Sequence, residues 1–263
     1  MFPIDTNQIL TATAVFLRVL GIITLLPLFG EGGVPLRVRI IISVALSFGI
    51  YPLIPANYAN LVHEAVRIGF SAIALLIAKE LLIGVVIGFC AKLAFDGIVM
   101  SAYIVGIQMG FNTSNIFLPD STDATNGFSA MHRILIILIF LSLNMHHIYL
   151  TSIYDTFRII PIGFAMPSAG LAEVMIQTSA AIFMTALQLA APTLVGLLFA
   201  TAALGLISRA VPQANVFVLS FPVSFFTGLI IYMAMLPMLP GWLRGHFIGS
   251  QEQMMTAIST LVR

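Results

Sequence analysis

VRIGFSAIALLIAKELLIGVVIGFCAKLAFDGIVMSAYIVGIQM, residues 66–109, is apolar almost throughout, with Lys79, Glu80, Lys92 and Asp96 set inside it. The run is continuous rather than alternating, which predicts helix and not the strands of a barrel. It greatly exceeds the roughly 20 residues that cross a bilayer core. Each internal charge would cost about 2.5–3.5 kcal/mol at the centre of an inserted helix. Lys92 and Asp96 stand four apart and can pair on one helical face. Lys79 and Glu80 are adjacent and point apart, so at least one needs a partner elsewhere. Gly84 and Gly88 form a GxxxG that admits another backbone closely, and Gly106 and Gly110 repeat the spacing. The segment predicts helix broken or bent against protein or a water-filled path, not a helix facing lipid on all sides.

Outward from this run, further apolar segments occupy roughly 9–28, 38–55, 133–150, 172–207 and 215–240. Phe29 to Pro35 is a glycine-rich turn, and Pro52, Pro55 and Asn57 end the second segment, because proline disfavours helix in the residue before it. Residues 110–126 turn polar, 155–170 make a connection with Pro161 and Pro167, and Arg209 to Asn215 separate the last two large segments. Pro192 falls inside 172–207 and is expected to kink or break the helix there. The composition agrees with a membrane chain: 60% hydrophobic residues and 8% charged ones, with mean hydropathy +1.08. Soluble domains carry about a quarter charged residues. A net charge of +1 gives no support to nucleic-acid binding. Cys90 is the single cysteine, which excludes a disulfide framework or a cysteine-rich metal site and reads as a small buried hydrophobe. The opening MFPIDTNQ has no Lys or Arg, so the first apolar run is expected to stay in the protein and not act as a cleaved signal. Basic residues divide evenly between alternate loops, and orientation is not legible from them.

Motifs for chemistry are sparse. His146 and His147 are adjacent, and no carboxylate at helical spacing accompanies them, so no metal ligand set is expected. Asp155 with Arg158, and Glu64 with Arg67, have the spacing of local ion pairs. No catalytic constellation and no cofactor motif stands in a credible context. GIQMGFNTSNIFLPDSTDATNGF (106–128) is different, because Met109, Phe111, Ile116 and Phe117 interrupt an otherwise polar, glycine-flanked loop. Such a segment is either an ordinary connector or an apolar obstruction within a wet lumen, where a hydrophobic constriction closes a pore by dewetting. At the C-terminus Phe247, Gln251, Met254, Met255, Ile258, Leu261 and Val262 fall mostly on one face of a short amphipathic helix. That helix could lie on a membrane surface or dock on a partner.

LGLISRAVPQANVFVLSFPV (204–223) resembles the C-terminal signature of the FliR family, with Arg209, Pro212, Gln213, Asn215, Phe217, Phe221 and Pro222 on its characteristic positions. KELLIGVVIGF (79–89) is similar to the family's charged-glycine helix through Glu80, Gly84 and Gly88. The loop at 106–120 is similar to its gate segment, and NMHHIYLTSIYDTFRIIPIG (144–163) also fits. The matches fall in order over nearly the whole chain. Departures are local: Val223, Ser224 and Phe225 follow the Phe-Pro where a lysine is common, Met145 replaces a frequent glycine, and Leu118 a usual aspartate.

The resemblance implies an all-α membrane protein of long, kinked helices in hairpins, packed within a hetero-oligomeric helical gate. Residues 1–263 would form one membrane domain, about 1–170 FliP-like and about 171–263 a FliQ-like hairpin with the C-terminal helix. It implies a non-enzymatic subunit of the flagellar type III export gate in the bacterial inner membrane, at the flagellar basal body. The expected partners are FliP-like and FliQ-like subunits, an FlhB-like switch protein, lipid and unfolded export substrates. Energy would come from an ATPase and the proton-motive force. Gly106 and Gly110 would give the loop mobility, with Met109, Phe111, Ile116 and Phe117 as the obstruction. Arg209, Gln213 and Asn215 would hold the last turn. Competing readings are a virulence-type secretion gate, a small-solute secondary transporter built on the charges at 79–96, and a membrane enzyme using His132, His146 and His147. The transporter lacks an internal repeat and the enzyme a base or ligand constellation.

Overall fold

Prolines and residues with positive φ punctuate this chain more sharply than its hydropathy does. A computed structural model describes residues 6–30, 34–54, 59–111, 127–164, 169–210 and 216–260. Every regular element among these is helical: α1 Thr6–Leu25, the single turn α2 Pro27–Gly30, α3 Leu36–Ile50, α4 Ala59–Ile68, α5 Phe70–Gln108, α6 Gly127–Ser142, α7 Met145–Ile159, α8 Ala169–Ala210, α9 Val216–Met235 and α10 Leu239–Thr260. Pro35 pre-sets the backbone at the start of α3 (φ −57°), and Pro52 turns its end into a 3-10 turn, Tyr51–Leu53. Gly69, at φ +117°, separates α4 from α5. Ile160 takes an extended conformation before Pro161 and closes α7.

Five of these stretches are long and apolar enough to cross a membrane, or six if α6 and α7 form one bent span. This is the all-α architecture of a membrane protein. At 1.5 Å per residue the 39 residues of α5 reach about 58 Å and the 42 residues of α8 about 63 Å. Neither is broken. Hydrogen-bonded helix continues through Pro192 in α8 and through Pro222 in α9, against the expectation of a break at Pro192. A proline forfeits one backbone bond, and long apolar helices tolerate that loss where neighbouring groups compensate. The sharp break lies elsewhere, within the apolar run read as 133–150. Asn144, at φ +56°, separates α6 from α7 with a 71° bend. Asparagine is among the few non-glycine residues that enter this region readily.

The chain divides into two compact units, one of residues 1–94, 144–179 and 247–263, the other of 95–143 and 180–246. In the first, α1 packs on α3 and α4, and its inner face (Ala14, Val15, Val19, Ile22, Ile23) is fully buried. Phe247, Met254 and Ile258 of α10 are buried in this unit as well. The Tyr149 hydroxyl of α7 lies 2.7 Å from Ser250 Oγ, and Gln251 Nε2 donates to Ser152 Oγ at 3.0 Å. The C-terminal amphipathic face is therefore seated on the chain's own α7, the option that the sequence reading omitted. Leu261 and Val262 lie outside the described residues.

In the second unit Ala102, Val105, Met109, Phe128, Ala190 and Leu197 form an apolar cluster, with Phe111, Leu194, Phe225, Leu229 and Tyr232 packed against it. Much apolar surface stays uncovered. Phe48 of α3, Phe199 of α8 and Ile230 of α9 are each more than 60% exposed, and only 11% of the apolar stretch Leu36–Leu53 is buried. Exposed apolar area on this scale marks a surface for lipid or partner protein.

Candidate functional site

Glu80 of α5 is fully buried and faces Arg18 of α1, also fully buried. Arg18 Nε donates to Glu80 Oε2 at 2.7 Å. The other carboxylate oxygen, Oε1, accepts from the Gly163 amide at 2.9 Å, and Gly163 holds φ +87°, a conformation natural to glycine. Arg18 Nη1 donates to the carbonyls of Thr156 and Ile160 at 3.2 and 3.0 Å, in the last turn of α7. A positive charge there also suits the negative end of the helix dipole. The guanidinium rests 4.3 Å from the centre of the Phe157 ring, a cation–π contact. One charge pair thus ties α1, α5 and the turn after α7 together.

Glycines bring α1 and α5 close enough for that bond. A side chain added at Gly84 would strike the Arg18 carbonyl, one at Gly21 would meet the Gly84 backbone at 2.9 Å, and one at Gly88 the Ile22 carbonyl at 2.9 Å. Gly84 and Gly88 on α5 with Gly21 on α1 therefore form a backbone-to-backbone seam. Arg18 was the residue missed from the sequence. Its signal was present, since a lone arginine inside an apolar run and a glutamate needing a distant partner are complementary demands. Lys79, Lys92 and Asp96 are half-buried along α5.

The gate segment begins as a tightly capped helix end. Gly110, at φ +88°, donates to the Ile107 carbonyl at 3.0 Å, and Phe111 N–H donates to Gly106 at 2.9 Å. These are the two bonds of a Schellman stop. Gly106 sits inside α5 while Gly110 lies past its end, so the pair is not a helical GxxxG. Met109 is fully buried, and a side chain at Gly228 of α9 would collide with its Cγ at 2.6 Å. The Phe111 ring lies 5.7 Å from Phe128 and 5.5 Å from Phe225. Residues 106–111 thus pack within the second unit, with Gly106 and Gly110 in the capped end of α5. Ile116 and Phe117 lie outside the described residues. Substituting Gly110 with alanine forces a Cβ into a left-handed position and should cost about 1–2 kcal/mol. A thermal-unfolding midpoint of the purified assembly no lower than wild type would refute that.

Of the C-terminal motif, Arg209 is exposed in the last turn of α8, where its charge suits the dipole. Pro222 is exposed within α9. Pro212, Gln213 and Asn215 lie outside the described residues, as does the Phe217 side chain. His146 and His147 rings lie 4.3 Å apart at the start of α7. Among the described residues no three His, Cys, Asp or Glu side chains converge as a metal site.

Comparison with known proteins gives the family. The model of "Bacterial export proteins, family 1" matches residues 9–249. A flagellar biosynthetic protein FliR of Escherichia coli (strain K12) is 31% identical over 224 residues, covering 85% of this chain and 83% of that one. The FliR of Buchnera aphidicola subsp. Acyrthosiphon pisum (strain APS) is 29% identical over 245 residues, covering 91% and 92%. The FliR of Bacillus subtilis (strain 168) is 29% identical over 228 residues, covering 84% and 85%.

Proposed function

The chain belongs to the FliR family, family 1 of the bacterial export proteins, and from that premise we propose that it is a subunit of the flagellar protein-export gate in the bacterial inner membrane. The observation that carries the proposal is the family match over 9–249, spanning both compact units. The relatives named above carry flagellar names, which favours flagellum assembly over a virulence secretion system. The protein is a conduit component without chemistry of its own.

FliP-like and FliQ-like subunits cover its exposed apolar faces, and an FlhB-like protein contacts the assembled gate. Residues of about 1–170 serve as the FliP-like part within this arrangement, and about 171–263 as the FliQ-like hairpin with the C-terminal helix. Met109 and Phe111, held in the apolar cluster, anchor one end of the 106–128 segment. Ile116 and Phe117 supply the obstruction between Gly110 and α6, and unfolded substrates displace it. Gly110 is the fixed end from which the segment departs. Arg209, Pro212, Gln213 and Asn215, with Phe217 and Pro222 following, hold the α8–α9 turn against neighbouring subunits.

Co-purification of a tagged chain from native membranes in mild detergent, read by mass spectrometry, tests the assembly. Recovery of FliP-like and FliQ-like subunits is expected. A stable homo-oligomer free of them would sink the proposal and favour a solute transporter. The obstruction has its own test. Ile116→Asn with Phe117→Asn should raise ion leakage through the purified gate while leaving its subunit composition intact, and unchanged leakage would reduce the segment to a connector.

A further inference from the structure

His132 of α6 is buried, only 2% exposed. Its Nδ1 lies 2.7 Å from the Tyr232 hydroxyl of α9, and the two rings meet edge to face, 5.7 Å apart. The other ring nitrogen, Nε2, is buried without a hydrogen-bond partner among the described residues. Buried polar atoms in native proteins are nearly always satisfied, by protein or by ordered water. His132 lines a small, partly open cavity together with Ser101, Thr193, Phe128, Tyr232 and Met235, all from the second unit. The centre of a water-sized sphere can move there through about 20 Å³. One bound water needs about 10–15 Å³ by that measure and two to four polar partners.

The hydroxyls on the cavity wall have their protons already committed. Ser101 Oγ donates to the Ile98 carbonyl at 2.6 Å, and Thr193 Oγ1 points its proton at Met235 Sδ, 3.6 Å away. Both oxygens therefore keep lone pairs to accept. Tyr232 and His132 Nδ1 share a single proton between them. If the tyrosine donates it, Nε2 carries the remaining ring proton and becomes a donor.

We propose that this cavity is a single-water site in which His132 Nε2–H donates to a water that in turn donates to Ser101 Oγ and Thr193 Oγ1. One acceptor position and both protons of the water are then used, and the orphan nitrogen is satisfied. The water joins α5, α6 and α8, and α9 enters through Tyr232. Its walls include Val105 and Phe128, members of the cluster that holds Met109 and packs Phe111. The site holds whatever the chain's role in export.

X-ray radiolysis of the purified assembly, with oxidation mapped by mass spectrometry, reports water trapped inside membrane segments. Phe128 lines the cavity, whereas Phe140, within the same unit, is buried at least as fully, 1% against 3% exposed, and does not line it. Phe128 should be oxidised several-fold faster than Phe140. In the Ser101→Ala, Thr193→Val double variant, which removes both acceptors, that excess should disappear. Equal rates in the wild-type protein would overturn the proposal, as would an excess that survives in a correctly assembled double variant. If the double variant fails to assemble, the wild-type ratio and a density map showing a peak within hydrogen-bond reach of Nε2 decide. A map with no such peak counts against the water.

Discussion

Glu80→Leu, with Arg18 left in place, should destabilise the protein by about 3–5 kcal/mol, because a buried guanidinium then has no counter-ion. Arg18 is fully buried, so water cannot reach it as a substitute. Two backbone carbonyls and the Phe157 ring are all that remains for its charge. The variant should accumulate poorly in membranes, and its purified assembly should melt well below wild type. Arg18→Met alone should do comparable damage by stranding the carboxylate, although the Gly163 amide still holds one oxygen. Arg18→Met combined with Glu80→Leu should recover most of the loss, since swapping a buried pair for apolar side chains is often neutral or better. A double-mutant cycle measures this directly. Additive losses in the double variant would show that the pair is not the unit of stability.

Gly84→Val should rank second. Its Cβ would occupy the place of the Arg18 carbonyl, and backbone cannot step aside as a flexible side chain can. α1 and α5 must separate, which lengthens the Arg18–Glu80 bond at the same moment. Overpacking of this kind costs about 1–3 kcal/mol and sometimes more, and coupling to the charge pair places Gly84 at the upper end. Gly49→Ala on α3 is the matched control, because a Cβ there meets nothing within 4 Å. Helix propensity makes that change worth up to about 1 kcal/mol in the favourable direction. The two melting midpoints should therefore move in opposite directions. Similar shifts for both would mean that the α1–α5 seam is not close-packed in the assembled protein.

These two variants also show what the sequence reveals and what it withholds. The apolar run that becomes α5, the stop at Pro52 and the close-approach glycines can be read locally, because a proline or a GxxxG acts within a few residues; that α5 runs unbroken and α7 continues to Ile159 could not. The partner of Glu80 could not be read that way. Arg18 is 62 positions away, and no periodicity within one helix says which residues of two helices meet. The same holds for Phe247, Met254 and Ile258. Their shared face is written in the spacing, but that it settles on α7 depends on tertiary packing. The bend at Asn144 stayed hidden because Asn144, His146 and His147 interrupt the apolar run too briefly to end it, while the backbone turns. At Pro192 the helix runs on without a break, since a proline forbids one hydrogen bond and not a helix.

The length of α5 carries a consequence in bilayer mechanics. The 39 residues of α5 amount to about 58 Å of helix contour, more than a hydrocarbon layer of about 30 Å can take even at the roughly 40° to which membrane helices tilt. Mismatch costs fractions of a kcal/mol per Å, so an overshoot of about 28 Å is far beyond what bending or thickening the lipid can absorb. Part of the helix must stand clear of the acyl chains. Bilayer thickness, which sorts many membrane proteins between compartments, then has no fitting position to select for this one. In the proposed export gate, its place is set by the neighbouring subunits.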